Sequence, residues 1–307
     1  MRFALLRCCL NPSFCRQYEL ATNAVLPNLG IDVVNIREFN CCGYPLKSFD
    51  FMAYVLSSTR NLALAESKNL DILTLCGCCY GNVKHVEYLT KNDSSLKGKV
   101  NTILEKERLN YQGTTESRHL FQVMYHDIGL ESLQRKVVKT YSNLKVAVHY
   151  GCHLLRPSEV VQFDKPFSPS IFDQLVEITG AKSIPWSTKL DCCGSAIAGV
   201  NDELSRALAE KKFRDAKRAG ADCLCVICPY CYLQFGRVQK TLYSRGDSAS
   251  QLPLLLYTQL LGLCLGIEAE ALGLRMNEVP VGGIEEFLTE KAPGEVTREL
   301  INVSAKH

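Results

Sequence analysis

The chain has 307 residues, a length that predicts two domains with room for buried cores and excludes a mini-protein held together by disulfides. Hydrophobic residues make up 47% and charged residues 22%, which is the balance of a soluble globular protein rather than a disordered one. The net charge is +3, from 35 Lys and Arg against 32 Asp and Glu, and it predicts no nucleic-acid partner.

Cysteine departs from ordinary usage, with 16 in the chain. The N-terminal apolar run from Phe3 to Leu6 is shorter than the roughly 7–15 residues of a secretory signal, so we expect a cytoplasmic protein. Thiols are kept reduced in that compartment. The cysteines therefore favour metal ligation or redox chemistry over a disulfide framework.

The first half of the chain alternates short apolar runs with one amphipathic segment. Arg2 to Leu6 and Gly30 to Ile36 each predict a strand, and the second is followed by the Cys41-Cys42 loop. A stripe of apolar and small side chains then predicts a helix: Met52, Val55, Leu56, Thr59 and Ala63. Asp71 to Leu75 predicts a further strand that ends on a CxxC motif.

The second half repeats this order. Val146 to Tyr150 predicts a strand, Asn201 caps a predicted helix that Gly220 ends, and Cys223 to Ile227 predicts a strand that again ends on CxxC. The uncharged stretch at residues 248–267 is interpreted as a strand, Leu254 to Tyr257, and a helix from Gln259 capped by Thr258, rather than as a membrane span. Residues 278–307 are expected to form a solvated tail with one short helix.

The cysteines reveal a duplication. A single cysteine, a vicinal pair followed by Gly, and a CxxC occur in that order twice, and the second copies follow the first by 143, 151 and 152 positions. The two sets of five are Cys9, Cys41, Cys42, Cys76 and Cys79, and Cys152, Cys192, Cys193, Cys228 and Cys231.

The repeated order of strands and helices predicts an α/β fold made of two pseudo-symmetric repeats. Each repeat would be a mainly parallel sheet with flanking helices, and its cysteine loops would lie at the carboxyl ends of the strands. A more polar segment at residues 111–144 separates the copies. We therefore place the first repeat at residues 1–145 and the second repeat, with the C-terminal tail, at residues 146–307.

Five converging thiolates repel one another, so each set requires a multivalent cation or a covalent resolution. Disulfides would leave one cysteine of five unpaired. Structural zinc takes four ligands, usually from two separated CxxC motifs, and vicinal cysteines do not easily serve one tetrahedral ion. An iron–sulfur cluster contains several irons, which adjacent cysteines can bind separately, and it fits five ligands best.

With the duplicated motifs and the HYGCH stretch from His149 to His153, residues 1–270 resemble the B-type subunit of heterodisulfide reductase, a family with the CCG signature. The resemblance implies two noncubane [4Fe-4S] clusters, one ligated by each set of five cysteines. It also implies a catalytic subunit that reductively cleaves a disulfide, in methanogens the mixed disulfide of coenzyme M and coenzyme B. Related complexes in sulfate reducers and sulfur oxidisers act on other disulfide or thiol couples.

The resemblance implies partners as well. Electrons would come from an A-type flavoprotein through a C-type, ferredoxin-like electron donor, and this chain has no G-x-G-x-x-G nucleotide motif of its own. A non-catalytic electron-transfer or scaffold subunit, with ordinary clusters or structural zinc, is the alternative.

Several other residues near the motifs carry further hypotheses. His149 and His153 could donate protons or bond to cluster sulfur, or could be ordinary core histidines. Gly43 and Gly194 are expected to let the backbone wrap closely around each site or to supply a turn with positive φ. Lys47, Arg156 and Lys189 could meet an anionic substrate. Cys8 abuts Cys9 and Cys78 lies inside the CxxC, so either could take a ligand position, but the alignment of the repeats favours Cys9 and Cys79. The remaining cysteines are expected to be buried apolar residues (Cys15, Cys223, Cys225, Cys264).

Overall fold

Each half of the chain builds a four-stranded parallel sheet, as the duplicated motifs predict. The computed structural model describes residues 1–246 and 251–291. The first sheet has the strand order β2-β1-β3-β4 and the second has the order β7-β6-β8-β9. Their strands are β1 (Arg2–Leu6), β2 (Asp32–Val34), β3 (Ile72–Thr74), β4 (Ser117–His119), β6 (Lys145–His149), β7 (Lys182–Ser183), β8 (Cys223–Val226) and β9 (Leu254–Leu256).

Helices connect the strands of both sheets and flank them. The helices of the first half are α1 (Asn11–Phe14), α2 (Arg16–Asn28), α3 (Phe51–Glu66), α4 (Gly77–Asn92), α5 (Ser94–Leu104), α6 (Leu120–Gln122), which runs into a π-helical turn, and α7 (Leu130–Lys136). Those of the second half are α8 (Cys152–Leu155), α9 (Ser158–Val161), α10 (Ile171–Glu177), α11 (Asp202–Arg218), α12 (Pro229–Ser244) and α13 (Tyr257–Cys264). The predicted fold class is therefore confirmed.

The registers of the two sheets correspond. In the first sheet β1 lies between β2 and β3, with Ala4 opposite Val34 on one side and Ile72 on the other. In the second, β6 lies between β7 and β8, with Val146 opposite Ser183 and Cys223. Because all these strands are parallel, their carboxyl ends lie at one edge of each sheet, where the cysteine loops begin.

Local signals explain the two long crossover helices. Asn201 caps α11, as predicted, by accepting a hydrogen bond from the backbone N–H of Leu204 at 3.0 Å, and Asp50 caps α3 in the same way through the N–H of Ala53 at 2.9 Å. Past the end of α11, Gly220 has a φ of +81°, the conformation that ends a helix at low cost.

Two expectations require correction, and one strand was not predicted. Thr258 does not cap the last helix, because α13 already begins at Tyr257 and the side chain of Gln259 accepts the N–H of Leu256 at 3.2 Å. The strand β4 was not predicted, since Ser117–His119 is polar in type although two of its three residues are buried.

The segment from residue 278 is not wholly a solvated tail. Its strand β10 (Leu288–Glu290) pairs antiparallel with β5 (Lys139–Tyr141), and Ile284 is buried. Residues 292–307 lie outside the described part of the chain. The β5–β10 pair joins segments on either side of residue 145, and the division of the chain there stays a prediction.

The stretch at residues 251–267 contains the predicted strand and helix, β9 and α13. Among the described residues, no helix has both the length and the apolar character needed to cross a membrane.

Tyr18 ties the two halves together. It lies on α2, which packs against α13 of the second half, and only 1% of its surface is exposed. Its hydroxyl lies 2.5 Å from the carbonyl oxygen of Leu75 and 3.0 Å from that of Ile227. These carbonyls occupy equivalent positions, each immediately before the first cysteine of a CxxC motif.

Tyr18→Phe should destabilise the protein by about 1–3 kcal/mol, because two buried carbonyls lose their shared donor. The thermal midpoint, measured by calorimetry at a fixed scan rate, should fall by several degrees. Tyr243→Phe removes a hydroxyl from a side chain that is 62% exposed and serves as the control. Equal midpoints for the two variants would show that the Tyr18 hydroxyl does not hold the halves together.

Candidate functional site: two cysteine sets at one junction

Three loops deliver the cysteines of each set to one edge of a sheet. In the first half, Cys9 follows β1, the vicinal pair Cys41-Cys42 follows β2, and Cys76 follows β3 as the residue that precedes α4. The second half uses the loops after β6, β7 and β8 in the same way. The parallel order of the strands is what brings these loops together.

In the first set, thiol–thiol interactions that shift the pKa of these groups link the five predicted cysteines in the order Cys9, Cys41, Cys42, Cys79 and Cys76. Cys8 joins them, because its sulfur and those of Cys76 and Cys79 all lie within 4.8 Å of one another. Cys8 is buried, whereas its neighbour Cys9 is exposed. The preference for Cys9 as the ligand stays a prediction.

The second set repeats this order of contacts. Thiol–thiol interactions that shift the pKa of these groups run through Cys152, Cys192, Cys193, Cys231 and Cys228. The ring nitrogen Nε2 of His149 lies 3.3 Å from the Sγ atom of Cys231. Burial lowers the pKa of His149 far below its usual range, so this imidazole is neutral.

The first cysteine of each vicinal pair has a lowered pKa, and so have Cys76 and Cys228, the first cysteines of the two CxxC motifs. Hydrogen bonds from neighbouring thiols, Cys42 and Cys9 for Cys41 and Cys152 and Cys193 for Cys192, hold the pKa of both residues well below the usual range. The backbone N–H of the glycine that follows also points to the sulfur, at 3.3 Å in the second set.

The two sets touch each other. The Sγ atoms of Cys76 and Cys228, which are equivalent residues of the two repeats, are 3.7 Å apart. Cys78, inside the first CxxC motif, lies 3.9 Å from Cys228, and its sulfur is 3.1 Å from Nδ1 of His153. The ten predicted cysteines therefore form one continuous region of sulfur at the junction of the halves.

A cavity of about 260 Å³ opens onto this region. All five cysteines of the second set line it, together with Cys78, His153 and two tyrosines. The ring centre of Tyr44 lies 5.1 Å from that of His153 and 6.0 Å from that of Tyr230, and both ring pairs are in edge-to-face contact. Tyr44 and Cys78 come from the first half, so both halves build the cavity.

The two sets differ in exposure. Cys9 and Cys41 are exposed, whereas every cysteine of the second set is buried or half-buried. All sixteen cysteines lie within the described residues, and none of them forms a disulfide there. Of the six outside the sets, Cys15, Cys223, Cys225 and Cys264 are buried in the core, as their predicted packing role requires.

Gly43 and Gly194 bring the vicinal loops close to the crossover helices. Their φ angles are +82° and +87°. A Cβ atom at Gly43 would lie 2.9 Å from the carbonyl oxygen of Tyr54 on α3, and one at Gly194 would collide with the carbonyl of Ser205 on α11. The hydroxyl of Ser205 also donates to the Gly194 carbonyl at 2.8 Å, which fixes the loop.

The three basic residues near the motifs have different surroundings. Lys189 forms an ion pair with Asp173 at 2.7 Å and is not free to meet a ligand. Lys47 and Arg156 line a small pocket of about 40 Å³, which shares Cys78 and His153 with the larger cavity.

Sequence reasoning missed Tyr44, Tyr230 and the buried Lys212. The tyrosines lie within two residues of motif cysteines, so the sequence indicates that they are near the site. Nothing in the local pattern marks Lys212 as buried.

Soft thiolates converging from three loops of each repeat suit a multi-iron centre better than a single ion, because vicinal sulfurs can reach different metal atoms. Fold and site thus define a duplicated cysteine-rich α/β protein whose thiol clusters suggest metal or iron–sulfur binding. The family model for the CCG cysteine-rich domain matches residues 4–84 and 146–236, one match in each repeat.

Curated relatives place the chain more narrowly. The B-type subunit of a ferredoxin/F420H2-dependent CoB-CoM heterodisulfide reductase from Methanosarcina acetivorans is 36% identical over 91% of this chain and 94% of its own length. The B-type subunit of a ferredoxin:CoB-CoM heterodisulfide reductase from Methanosarcina mazei is 37% identical over 88% of this chain and 91% of its own. The chain belongs to the family of heterodisulfide reductase B-type subunits, whose named relatives are parts of oxidoreductase complexes.

Two further similarities add context. The 8-methylmenaquinol:fumarate reductase membrane anchor subunit of Wolinella succinogenes is 33% identical over 90% of this chain and 96% of its own length. The crystal structure of a hypothetical protein from Helicobacter pylori has a TM-score of 0.67 at 16% identity and covers 91% of this chain and 52% of that one. This second similarity supports the fold alone.

Gly194→Ala should destabilise the protein more than Gly199→Ala. Both glycines have a positive φ, which costs an alanine roughly 1–2 kcal/mol, but only the Cβ at position 194 meets backbone, since position 199 has no atom within 4 Å. The thermal midpoints of the two variants measure the difference. Similar losses would mean that the close approach of the Cys193 loop to α11 is unimportant.

Proposed function

We propose that this chain is the catalytic, B-type iron–sulfur subunit of a heterodisulfide reductase-like complex. It would reductively cleave a disulfide such as CoM-S-S-CoB, or a related disulfide or thiol couple. The observation that carries the proposal is the contact between two equivalent sets of thiols, through Cys76 and Cys228 at 3.7 Å, beside a cavity built by both halves.

Each set would hold one noncubane [4Fe-4S] cluster. The ligands of the first would be Cys9, Cys41, Cys42, Cys76 and Cys79, and those of the second Cys152, Cys192, Cys193, Cys228 and Cys231. Cleavage of a disulfide takes two electrons and two protons and yields two thiols, and the two clusters, when bound, would supply the electrons one from each. A pair of adjacent centres suits this stoichiometry because iron–sulfur centres ordinarily transfer single electrons.

The side chains around the cavity would handle the protons. Burial lowers the pKa of His153, so its imidazole is neutral and can pass on a proton that it receives. Burial also raises the pKa of Tyr44 to about 12, which keeps its hydroxyl protonated and able to donate to a departing thiolate. Gly43 and Gly194 would keep the backbone close to the clusters, and His149 would donate to cluster-bound sulfur.

The substrate would enter beside the small pocket. Lys47 and Arg156 add positive charge next to Cys78 and His153, so a disulfide that carries an anionic group would be oriented with that group toward them.

We also propose the partners that the family membership implies. Electrons would reach this chain from an A-type flavoprotein through a C-type, ferredoxin-like electron donor, in a complex located in the cytoplasm. The abundance of cysteine outside disulfides supports that compartment.

One observation favours a second function. The Wolinella succinogenes relative is named as a membrane anchor subunit of a fumarate reductase, at 33% identity over most of both chains. A chain of this kind could therefore serve as an electron-transfer or scaffold subunit with no disulfide substrate of its own.

Anaerobic purification should yield about four iron atoms per repeat with matching acid-labile sulfide. Cys193→Ser should lose about half of that iron, along with most disulfide cleavage by a reduced dye, because only the second set is broken. Cys264→Ser alters a cysteine buried away from both sets and should keep the full content and activity.

Zinc without sulfide, or a Cys193→Ser protein with unchanged iron and activity, would contradict the proposal. Full iron content with no cleavage of any disulfide tested would instead support the electron-transfer function.

A further inference from the structure

The duplicated halves differ at one buried helix position. The residues that cap α3 and α11, Asp50 and Asn201, are 151 positions apart, and the same offset pairs Asn61 with Lys212. Both side chains are buried, with 0% and 1% of their surface exposed. The first repeat therefore places a neutral amide where the second places an ammonium group.

Asn61 anchors a loop to α3 without carrying a charge. Its amide donates to the carbonyl of Asn40 at 2.9 Å, and its side-chain oxygen accepts the N–H of the same residue at 3.0 Å. These bonds hold the loop that leads into Cys41-Cys42. An amide is thus sufficient to anchor this loop to the crossover helix, and the fold of the repeat does not require a cation there.

Lys212 anchors the equivalent loop with a full charge. Its Nζ donates to the carbonyl of Thr188 and lies 4.8 Å from the ring centre of Trp186. Burial lowers the pKa of Lys212 to about 8, which leaves the amine mostly protonated at neutral pH, and Asp191 opposes that shift. The structure gives Lys212 no ion pair within residues 1–246 and 251–291.

The charge of Lys212 acts on the second cysteine set. It interacts electrostatically with Cys192, Cys193 and Cys231, and it is shielded from water. A buried charge is screened far less than an exposed one, so the ammonium group acts on these sulfurs, and Asp191 offsets part of its charge. Reduction adds negative charge to an iron–sulfur centre, and nearby positive charge stabilises the reduced state.

His149 adds to this asymmetry. Counting back three residues from Cys152 and Cys9 pairs His149 with Leu6, so the first repeat has an apolar side chain at the equivalent strand end. A metal-bound thiolate at Cys231 carries no proton, and the Nε2 atom 3.3 Å away would be the donor of their hydrogen bond. Hydrogen bonds to ligand sulfur also stabilise the reduced state.

We propose that Lys212 raises the reduction potential of the centre held by the second cysteine set and leaves the potential of the first centre nearly unaffected. This inference rests on the proposed iron–sulfur function. It makes the two centres of the duplicated protein inequivalent. The second centre faces the cavity, and the protein selectively stabilises the reduced state of that centre.

The test is a redox titration of the full chain, purified anaerobically and followed by electron paramagnetic resonance, with Lys212→Met, Lys212→Gln and Lys211→Met. Lys212→Gln keeps a donor for the Thr188 carbonyl but loses the charge. Lys211→Met removes the same charge from an exposed neighbour on α11 and is the matched control. The signal of the second centre is assigned as the one that Cys193→Ser abolishes.

Both neutral variants of Lys212 should lower the potential of the second centre by at least 59 mV, a tenfold change in its one-electron equilibrium. The first centre, and both centres of Lys211→Met, should shift by less than about 18 mV, a twofold change. Lys212→Arg, which keeps the charge, should restore most of the wild-type potential.

Iron and sulfide content are measured first in every protein. A wild-type protein without iron would defeat the proposed function itself. Full iron content with a shift below twofold in both neutral variants, or equal shifts of the two centres, would overturn the role of Lys212 alone. Loss of the second centre in both neutral variants would assign Lys212 a structural role and would also overturn it.

Discussion

Thiolates gathered in a protein interior repel one another and lose their hydration, and this constraint governs the junction where the two cysteine sets meet. The chain limits the repulsion by letting neighbouring thiols share protons, and the pKa is lowered at the first cysteine of each vicinal pair and of each CxxC motif. Backbone N–H groups also point to the sulfurs of Cys41 and Cys192. Full ionisation of either set would need a multivalent cation, and the arrangement of the loops suits one with several metal atoms.

Duplication of a parallel sheet provides the geometry that brings the thiols together. Each repeat needs three loops at one edge, and parallel strands provide them without further elements. The repeats then face each other through equivalent residues: Cys76 touches Cys228, and Tyr18 bonds to the carbonyls that precede both. Helices of one half pack on helices of the other, α2 on α13 and α4 on α8, so that the sulfur region lies at the junction of the halves.

The two cysteine sets differ in their exposure and in the polar residues around them. The first set has exposed cysteines, whereas the second lies deeper and lines the cavity. The polar residues His149 and Lys212 surround the second set at positions where the first repeat has Leu6 and Asn61. A duplicated fold can build two similar sites, and only such substitutions can give the sites different chemistry. The same family includes relatives named for different complexes.

The sequence by itself determined the repeats, the parallel sheets and the convergence of the cysteine loops, because spacing along the chain and the periodicity of apolar residues are local properties. The polar strand β4, the pairing of β10 with β5 and the start of α13 at Tyr257 were decided by tertiary packing, which overrides local propensity. The contact of the two sets through Cys76 and Cys228 and the burial of Lys212 were likewise invisible in the sequence. These features depend on how two separate sheets pack against each other. From the sequence alone a lysine is predicted to be solvent-exposed, because the residues that cover it are not known.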